Sequence, residues 1–247
     1  MKLEGHTVLI TGGGTGIGAG LAGEFHRAGS KVIICGRREA VLRKTAEAHP
    51  GMEYLVLDVR DLSAVKVCAK KVEAGHPDLD VVINNAGVQK PVDFLDGGAT
   101  TGNIDIVVDT NLKGPAYVGA TFLPLLMRQK SSWLVNVSSG LMYVPLSFMP
   151  VYCATKAAVH SLTLSMRHQL RKTPVRVVEL VPPAVKTALG GGEEDHGHDE
   201  MPLDKFIGLA VAGLRSGKDE VVVGGSRRLK WGSRILPSVF FGFLNPR

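Results

Sequence analysis

Tyr152 and Lys156 lie four residues apart in the segment Val151-Tyr152-Cys153-Ala154-Thr155-Lys156-Ala157-Ala158-Val159, whose other members are small or apolar. At that spacing two side chains on a helix share one face. A surface helix would set a lysine beside a carboxylate, and this one offers a phenol. An ammonium next to a phenol favours the phenolate, so Tyr152 is expected to deprotonate below its ordinary value of about 10. Such a pair can give and take a proton near neutral pH. An amphipathic helix whose Tyr and Lys merely snorkel to water would carry the same pattern. The elements around the pair must decide between the two.

Seven short runs rich in Val, Ile and Leu, at residues 6–11, 31–35, 53–57, 80–84, 133–137, 175–180 and 220–224, read as strands. They are nearly continuous rather than alternating, as expected of strands buried on both faces of a parallel sheet. Helices are expected between them, near 17–28, 38–48, 61–74, 103–129, 151–172 and 203–216. The alternation implies an α/β fold: a Rossmann-like doubly wound parallel sheet of about seven strands with helices on both faces. No linker rich in Pro or Ser divides residues 1–247, which therefore read as a single domain. Two segments stand outside the alternation, an acidic, glycine-rich loop at 187–202 and a basic, apolar tail at 226–247.

A composition of 45% hydrophobic and 21% charged residues suits a globular protein with a large core. Apolar stretches are broken well before the roughly 18–20 residues needed to span a bilayer. The start of the chain lacks the apolar region and cleavage site of a secretory signal, so cytoplasmic residence is expected. Cys35, Cys68 and Cys153 show no metal-like spacing and fit reduced thiols. The net charge of +6 is spread along the chain with no aromatic-interleaved basic module, which argues against nucleic acid. A phosphate-bearing cofactor accounts for a modest positive excess equally well.

Such a cofactor is suggested by the run Thr11-Gly12-Gly13-Gly14-Thr15-Gly16-Ile17-Gly18 after the first strand. Glycines there permit a tight turn, let the backbone approach a pyrophosphate, and let the next helix pack closely. That helix offers its N-terminal N–H groups to phosphate. The phase is open: Gly14, Gly16 and Ala19 fit G-x-G-x-x-A, while Gly12, Gly16 and Gly18 fit G-x-x-x-G-x-G. The second strand ends in Gly36-Arg37-Arg38, where an NAD-binding chain usually carries an acid for the ribose hydroxyls. Arg37 or Arg38 can hold a 2′-phosphate instead, so NADP(H) is preferred, with NAD(H) the alternative left open by Glu39.

Taken in order, the glycine run, Asp58-Val59, Asn84-Asn85-Ala86-Gly87, Asn111, Ser138-Ser139-Gly140 and Tyr152-x-x-x-Lys156 resemble the short-chain dehydrogenase/reductase family over nearly the whole chain. Within it, the segment from Val135 to Leu170 and the tail are similar to the bacterial DltE-like oxidoreductases. The resemblance implies a catalytic tetrad of Asn111, Ser139, Tyr152 and Lys156. Tyr152 would be the acid/base, Lys156 would lower its pKa and hold the nicotinamide ribose, and Ser139 would donate a hydrogen bond to the substrate oxygen. Asn111 would open the helix ladder and hold a water connecting Lys156 to solvent. The resemblance also implies that Asn84, Asn85, Ala86 and Gly87 line the cofactor, with Asp58 and Val59 near the adenine. Pro182, Val185 and Thr187 would lie beside the nicotinamide, and the assembly would be a homodimer or homotetramer. Two departures from the family pattern are Pro183 in place of a glycine and Thr15 where NADP-preferring members often carry Lys or Arg.

Leu141, Met142, Val144, Leu146, Phe148 and Met149, between Ser139 and Tyr152, suit a hydrophobic ketone, aldehyde or secondary alcohol; simple packing of the loop explains them equally. In the 187–202 loop a lid over substrate is favoured over a metal site at His196 and His198, and no metal is expected. The tail fits a subunit contact or pocket wall better than a membrane surface, since it contains Pro237 and glycines and shows no sustained amphipathic helix. The leading expectation is a hydride-transferring carbonyl reductase. The rival is a dinucleotide-binding regulatory protein that has lost its chemistry.

Overall fold

The computed structural model describes residues 1–187, 189 and 200–246. The apolar runs form strands β1 (Thr7–Thr11), β2 (Lys31–Gly36), β3 (Glu53–Val56), β4 (Val81–Asn84), β5 (Ser132–Val137), β6 (Val175–Val181) and β7 (Glu220–Val222). They make one parallel sheet in the order β3-β2-β1-β4-β5-β6-β7. The near-continuous burial along β1 follows from cover on both sides. Val8 and Ile10 point into one core with Phe25 and Phe206, and Leu9 points into the other with Phe122. Each fully buried aromatic contributes about 1.5–3 kcal/mol of apolar burial to its face. The expected α/β doubly wound sheet is what the chain forms.

Helices α1 (Gly16–Arg27), α2 (Glu39–Glu47), α3 (Leu62–Gly75), α4 (Gly102–Val108), α5 (Gly114–Leu126), α6 (Pro150–Gln169) and α7 (Leu203–Arg215) link the strands. Helices α1 and α7 cover one face, where a Cβ on Gly20 would stand 2.7 Å from Ile207. Helices α3 and α5 cover the other.

The helix expected over 103–129 is not one regular helix. Between α4 and α5 the residues Asp109–Lys113 form a π-helical turn, closed by the Gly114 N–H on the Asp109 carbonyl. Pro115 supplies the reason. It has no N–H to give to the carbonyl four residues back, which is that of Asn111. The opening of the ladder at Asn111 is therefore written in the chain.

The tail departs from expectation as well. It folds as α8 (Ser226–Ile235) and α9 (Pro237–Leu244). Leu236, ahead of a proline, leaves the helical region at φ −137° and ψ 63°, and Pro237 opens the second helix in its first turn. What looked like a helix breaker is a helix start. The sequence-based lid and the His196–His198 pair fall largely or wholly outside the described residues.

Candidate active site

The chain turns from β1 outward to β2 and β3 and then back to β4, so a crevice opens between the C-terminal ends of β1 and β4. The glycine run crosses it. Gly12 and Gly16 have φ of +65° and +53°, which other residues rarely adopt. A Cβ on Gly12 would also stand 2.9 Å from Ala86 Cα, and one on Gly18 would stand 2.3 Å from the Gly12 carbonyl oxygen. These demands fix the phase as Gly12-x-x-x-Gly16-x-Gly18. Gly18 serves the close packing of α1 and does not line the cleft. Thr11 Oγ1 fastens the loop to the end of β4 by accepting from the N–H groups of Asn85 and Ala86, both at 3.1 Å.

The resulting cleft holds about 650 Å³. Gly12, Gly14, Thr15, Gly16 and Ile17 form its floor toward α1. Arg37, Arg38, Asp58 and Val59 close one end, and Asn85, Ala86 and Gly87 run along β4. Tyr152, Lys156, Pro182 and Thr187 stand at the other end. Both arginines are exposed, and the position directly after Gly36 is Arg37 rather than an acid, with Glu39 opening α2. Asp58 is held by Arg60, with a shortest contact of 2.6 Å, and the guanidinium keeps its carboxyl below the usual range.

Two expected cofactor contacts lie elsewhere. Asn84, on the strand proper, is 3% exposed and spends its amide on Asn136 Oδ1 at 2.9 Å and the Pro115 carbonyl at 3.2 Å. It ties β4 to β5 and α5. Val185 pairs with Met201 in an isolated bridge and packs on the α1–α7 core, away from the cleft.

Tyr152 and Lys156 are both buried on one face of α6, with the ammonium 5.7 Å from the ring centroid. Lys156 Nζ donates to the Val137 carbonyl at 3.0 Å. Burial pushes the Tyr152 phenol up to about 12 and the Lys156 ammonium down to about 8. The expected lowering of Tyr152 by Lys156 is thus overturned in this structure. Withdrawal from water costs the phenolate more than its neighbours return, and the ammonium is spent on a carbonyl. What opposes the rise is the nearby Ser139 hydroxyl, which favours the phenolate. Ser139, not Ser138, is the serine whose hydroxyl acts on the phenol electrostatically.

Asn111 sits in the π turn, with Oδ1 accepting from Val88 N–H at 2.8 Å and Nδ2 donating to the Val88 carbonyl at 2.9 Å. A Cβ on Gly87 would lie 3.4 Å from Asn111 Oδ1 and 3.7 Å from Lys156 Nζ. The bare glycine leaves the approach to the lysine open. Cys153, next to the tyrosine, is buried with its thiol against Leu146, and burial pushes its pKa up, so it is no nucleophile.

One turn beyond Lys156 on the same face stands His160, which sequence reasoning passed over. Its Nδ1 meets Oε2 of the fully buried Glu179 on β6 at 2.7 Å. Glu220 on β7 accepts from Tyr143 O–H at 2.5 Å and from the Lys230 ammonium. Glu179 in turn favours the charged form of Lys156. His160, Glu179 and Glu220 each bring a ligand atom within 4.8 Å of the others, yet Lys230 and the imidazole already supply their positive partners. The available signal was a lone carboxylate in the run Val175-Arg176-Val177-Val178-Glu179-Leu180-Val181.

An open sheet with a glycine turn at its switch point, and a buried phenol at the same strand ends, is the architecture of the Rossmann-like oxidoreductases. The family model described as "short chain dehydrogenase" matches residues 6–196. The chain is 39% identical over 224 residues to the "Uncharacterized oxidoreductase DltE" of Bacillus subtilis (strain 168), covering 90% of this chain and 89% of DltE. It is 32% identical over 183 residues to an uncharacterized oxidoreductase of Staphylococcus aureus (strain MRSA252), covering 73% and 78% of the two. The chain belongs to the short-chain dehydrogenase family. A short chain dehydrogenase from Burkholderia cenocepacia J2315 solved with NADP shares the fold at a TM-score of 0.84, with 24% identity and 99% of each chain covered. One from Burkholderia phymatum solved with NAD also gives 0.84, with 21% identity over 100% of this chain and 98% of that one.

Proposed function

We propose that this oxidoreductase transfers a hydride between NADP(H) and a hydrophobic ketone, aldehyde or secondary alcohol, with Tyr152 as the acid/base. The carrying observation is a buried phenol that desolvation keeps protonated, with the Ser139 hydroxyl favouring its phenolate and the Lys156 ammonium 5.7 Å from its ring centroid. The bound nicotinamide would supply or accept the hydride at the substrate carbon. In reduction, Tyr152 gives its proton to the carbonyl oxygen as that oxygen becomes an alkoxide, and the protonated form is the one burial favours. Ser139 donates to the same oxygen and stabilises its developing charge. Lys156, whose ammonium gives up its proton readily at a pKa of about 8, returns a proton to the phenolate that remains, and the reverse order serves alcohol oxidation. The positive-φ turn at Gly12 and Gly16 fits a pyrophosphate, with the N-terminus of α1 behind it. Arg37 and Arg38 would hold the 2′-phosphate, and NAD(H) remains usable because no group requires that phosphate.

The apolar segment divides two roles. Leu146 and Met149 are buried in the cluster around Tyr152, whereas Tyr143, Val144 and Pro145 wall a second cavity of about 370 Å³ against α8 and α9. An apolar substrate fits that surface, and the reading extends to a cytoplasmic enzyme working as a homodimer or homotetramer. A spectrophotometric screen of NADPH oxidation against ketones, aldehydes and quinones tests the assignment. Turnover of hydrophobic carbonyls, absent in Tyr152→Phe, is expected; turnover retained in that variant would remove Tyr152 from its role.

A further inference from the structure

We infer that the outward face of α8 and α9 docks the enzyme on an anionic lipid surface. From residue 223 to the end the sequence carries Arg227, Arg228, Lys230, Arg234 and Arg247 and no Asp or Glu. Lys230 turns inward to Glu220. On a helix wheel, Trp231 and Ile235 share one direction, with Arg227 and Arg234 to one side and Arg228 to the other. That direction faces water: Trp231 is 61% and Ile235 is 71% exposed. Helix α9 continues the patch with Val239 and Phe243, the latter 78% exposed.

The inner side of the helix pair is fastened. Gly232 lets Phe240 lie directly against α8, where a Cβ would meet the ring at 2.3 Å. Leu244 packs in the cluster around Tyr152, and Asn245 clasps the 140s loop by donating to the Pro145 carbonyl at 3.0 Å and accepting from Ser147 N–H at 2.6 Å. The outer apolar face is therefore presented on fixed helices.

Charge chooses the occupant. A self-complementary contact with a second copy would bring three arginines against three arginines with no acid in the patch to answer them. Exposed Trp and Phe flanked by Arg match the boundary between acyl chains and anionic headgroups. Phosphate oxygens answer the guanidinium groups there. No helix among the described residues is long and apolar enough to cross a membrane, so the contact is with the surface.

The test is co-sedimentation of the full chain with phosphatidylcholine vesicles, with and without phosphatidylglycerol. Binding that needs phosphatidylglycerol, weakens with salt and shifts tryptophan emission to the blue is expected, and Trp231→Phe should abolish the shift. Reversing Arg227, Arg228 and Arg234 to Glu should weaken partitioning about a hundredfold or more. Val239→Ser with Phe243→Ser should lower it as well. NADPH turnover without vesicles should be unchanged in these variants and reports that they are folded. Equal binding to neutral vesicles, or indifference to the arginine reversal, would overturn the inference. So would absence of vesicle binding, whether the chain is then monomeric or forms a dimer that Trp231→Ser dissociates; the dimer would hand the face to a second copy.

Discussion

Two consecutive turns of α6 bury charge in opposite ways. At the cleft end, Lys156 has a backbone carbonyl for a partner and Tyr152 a serine hydroxyl, and burial displaces both toward their neutral forms, to about 8 and about 12. One turn on, His160 is matched to Glu179, and Glu220 to Lys230 and Tyr143. There the partners favour the charged forms: His160 is raised and Glu220 lowered. Charge left under-partnered responds to whatever enters the cleft. Charge already matched holds α6 to β6 and β7. On the proposed function the same helix carries a reacting end and a clamped end, and single changes should separate them.

The largest effect is expected at the reacting end. Tyr152→Phe removes the transferable proton and should lower kcat by about 10²–10⁴-fold. Its melting temperature and its NADPH dissociation constant by fluorescence titration should stay close to those of the parent. A large stability loss with modest kinetic loss would reverse the assignment of the two ends.

The clamped end should answer in stability. Glu179→Leu leaves His160 without its anion and should cost about 3 kcal/mol in urea unfolding, the scale for breaking a buried pair. The kcat should change less than about tenfold, because Glu179 acts on Lys156 only through its field. A collapse of kcat at unchanged stability would place Glu179 in the chemistry instead.

The two ends should also titrate with opposite signs. His160 holds its proton more tightly folded than unfolded, so its pairing contributes fully below about 6.5 and is lost as pH rises through the raised folded value. Lys156 is the reverse: its folded value of about 8 lies below the unfolded one. Its burial is penalised least above about 10.4, and that relief is lost as pH falls through 8. Urea midpoints measured between about pH 6 and 10 should therefore show the parent losing its advantage over His160→Asn as pH rises. Over the upper part of that range the parent should gain on Lys156→Met. Parallel curves in either comparison would cancel the distinction.

The reacting end was readable in the sequence because its demands leave few residue types. A turn with φ of +65° and +53° and no room for a Cβ must be glycine, and a phenol one turn from an amine, common by itself, gains meaning beside that turn. The break at Asn111 was marked by Pro115, four residues on. The clamped end was not readable, because Glu179 and Glu220 become partners of His160 and Lys230 only when β6 and β7 pair and α8 folds over them. Asn84 misled because it adjoins true cleft residues on a strand whose last members turn to different sides. The tail misled because Pro237 reads locally as a stop, and only the geometry of Leu236 shows it to be a start.

The smallest effect belongs to a third kind of charge, the exposed pair Arg37 and Arg38, at the end of the cleft that the proposed function gives to the adenosine. Neither is desolvated like Lys156 nor matched like His160, so salt screens both and each is worth about 1 kcal/mol to a phosphate. Replacing both with Ala should raise the KM for NADPH about thirtyfold and leave the KM for NADH nearly unchanged, a difference that shrinks as ionic strength rises. If both cofactors lose affinity together, the arginines serve the adenine or the loop rather than the 2′-phosphate. If neither does, the chain has no arginine-based preference for NADPH, in keeping with Thr15 standing where NADP-preferring members often carry Lys or Arg. Either result would show whether a surface charge can select a cofactor without help from burial, which the two ends of α6 both require.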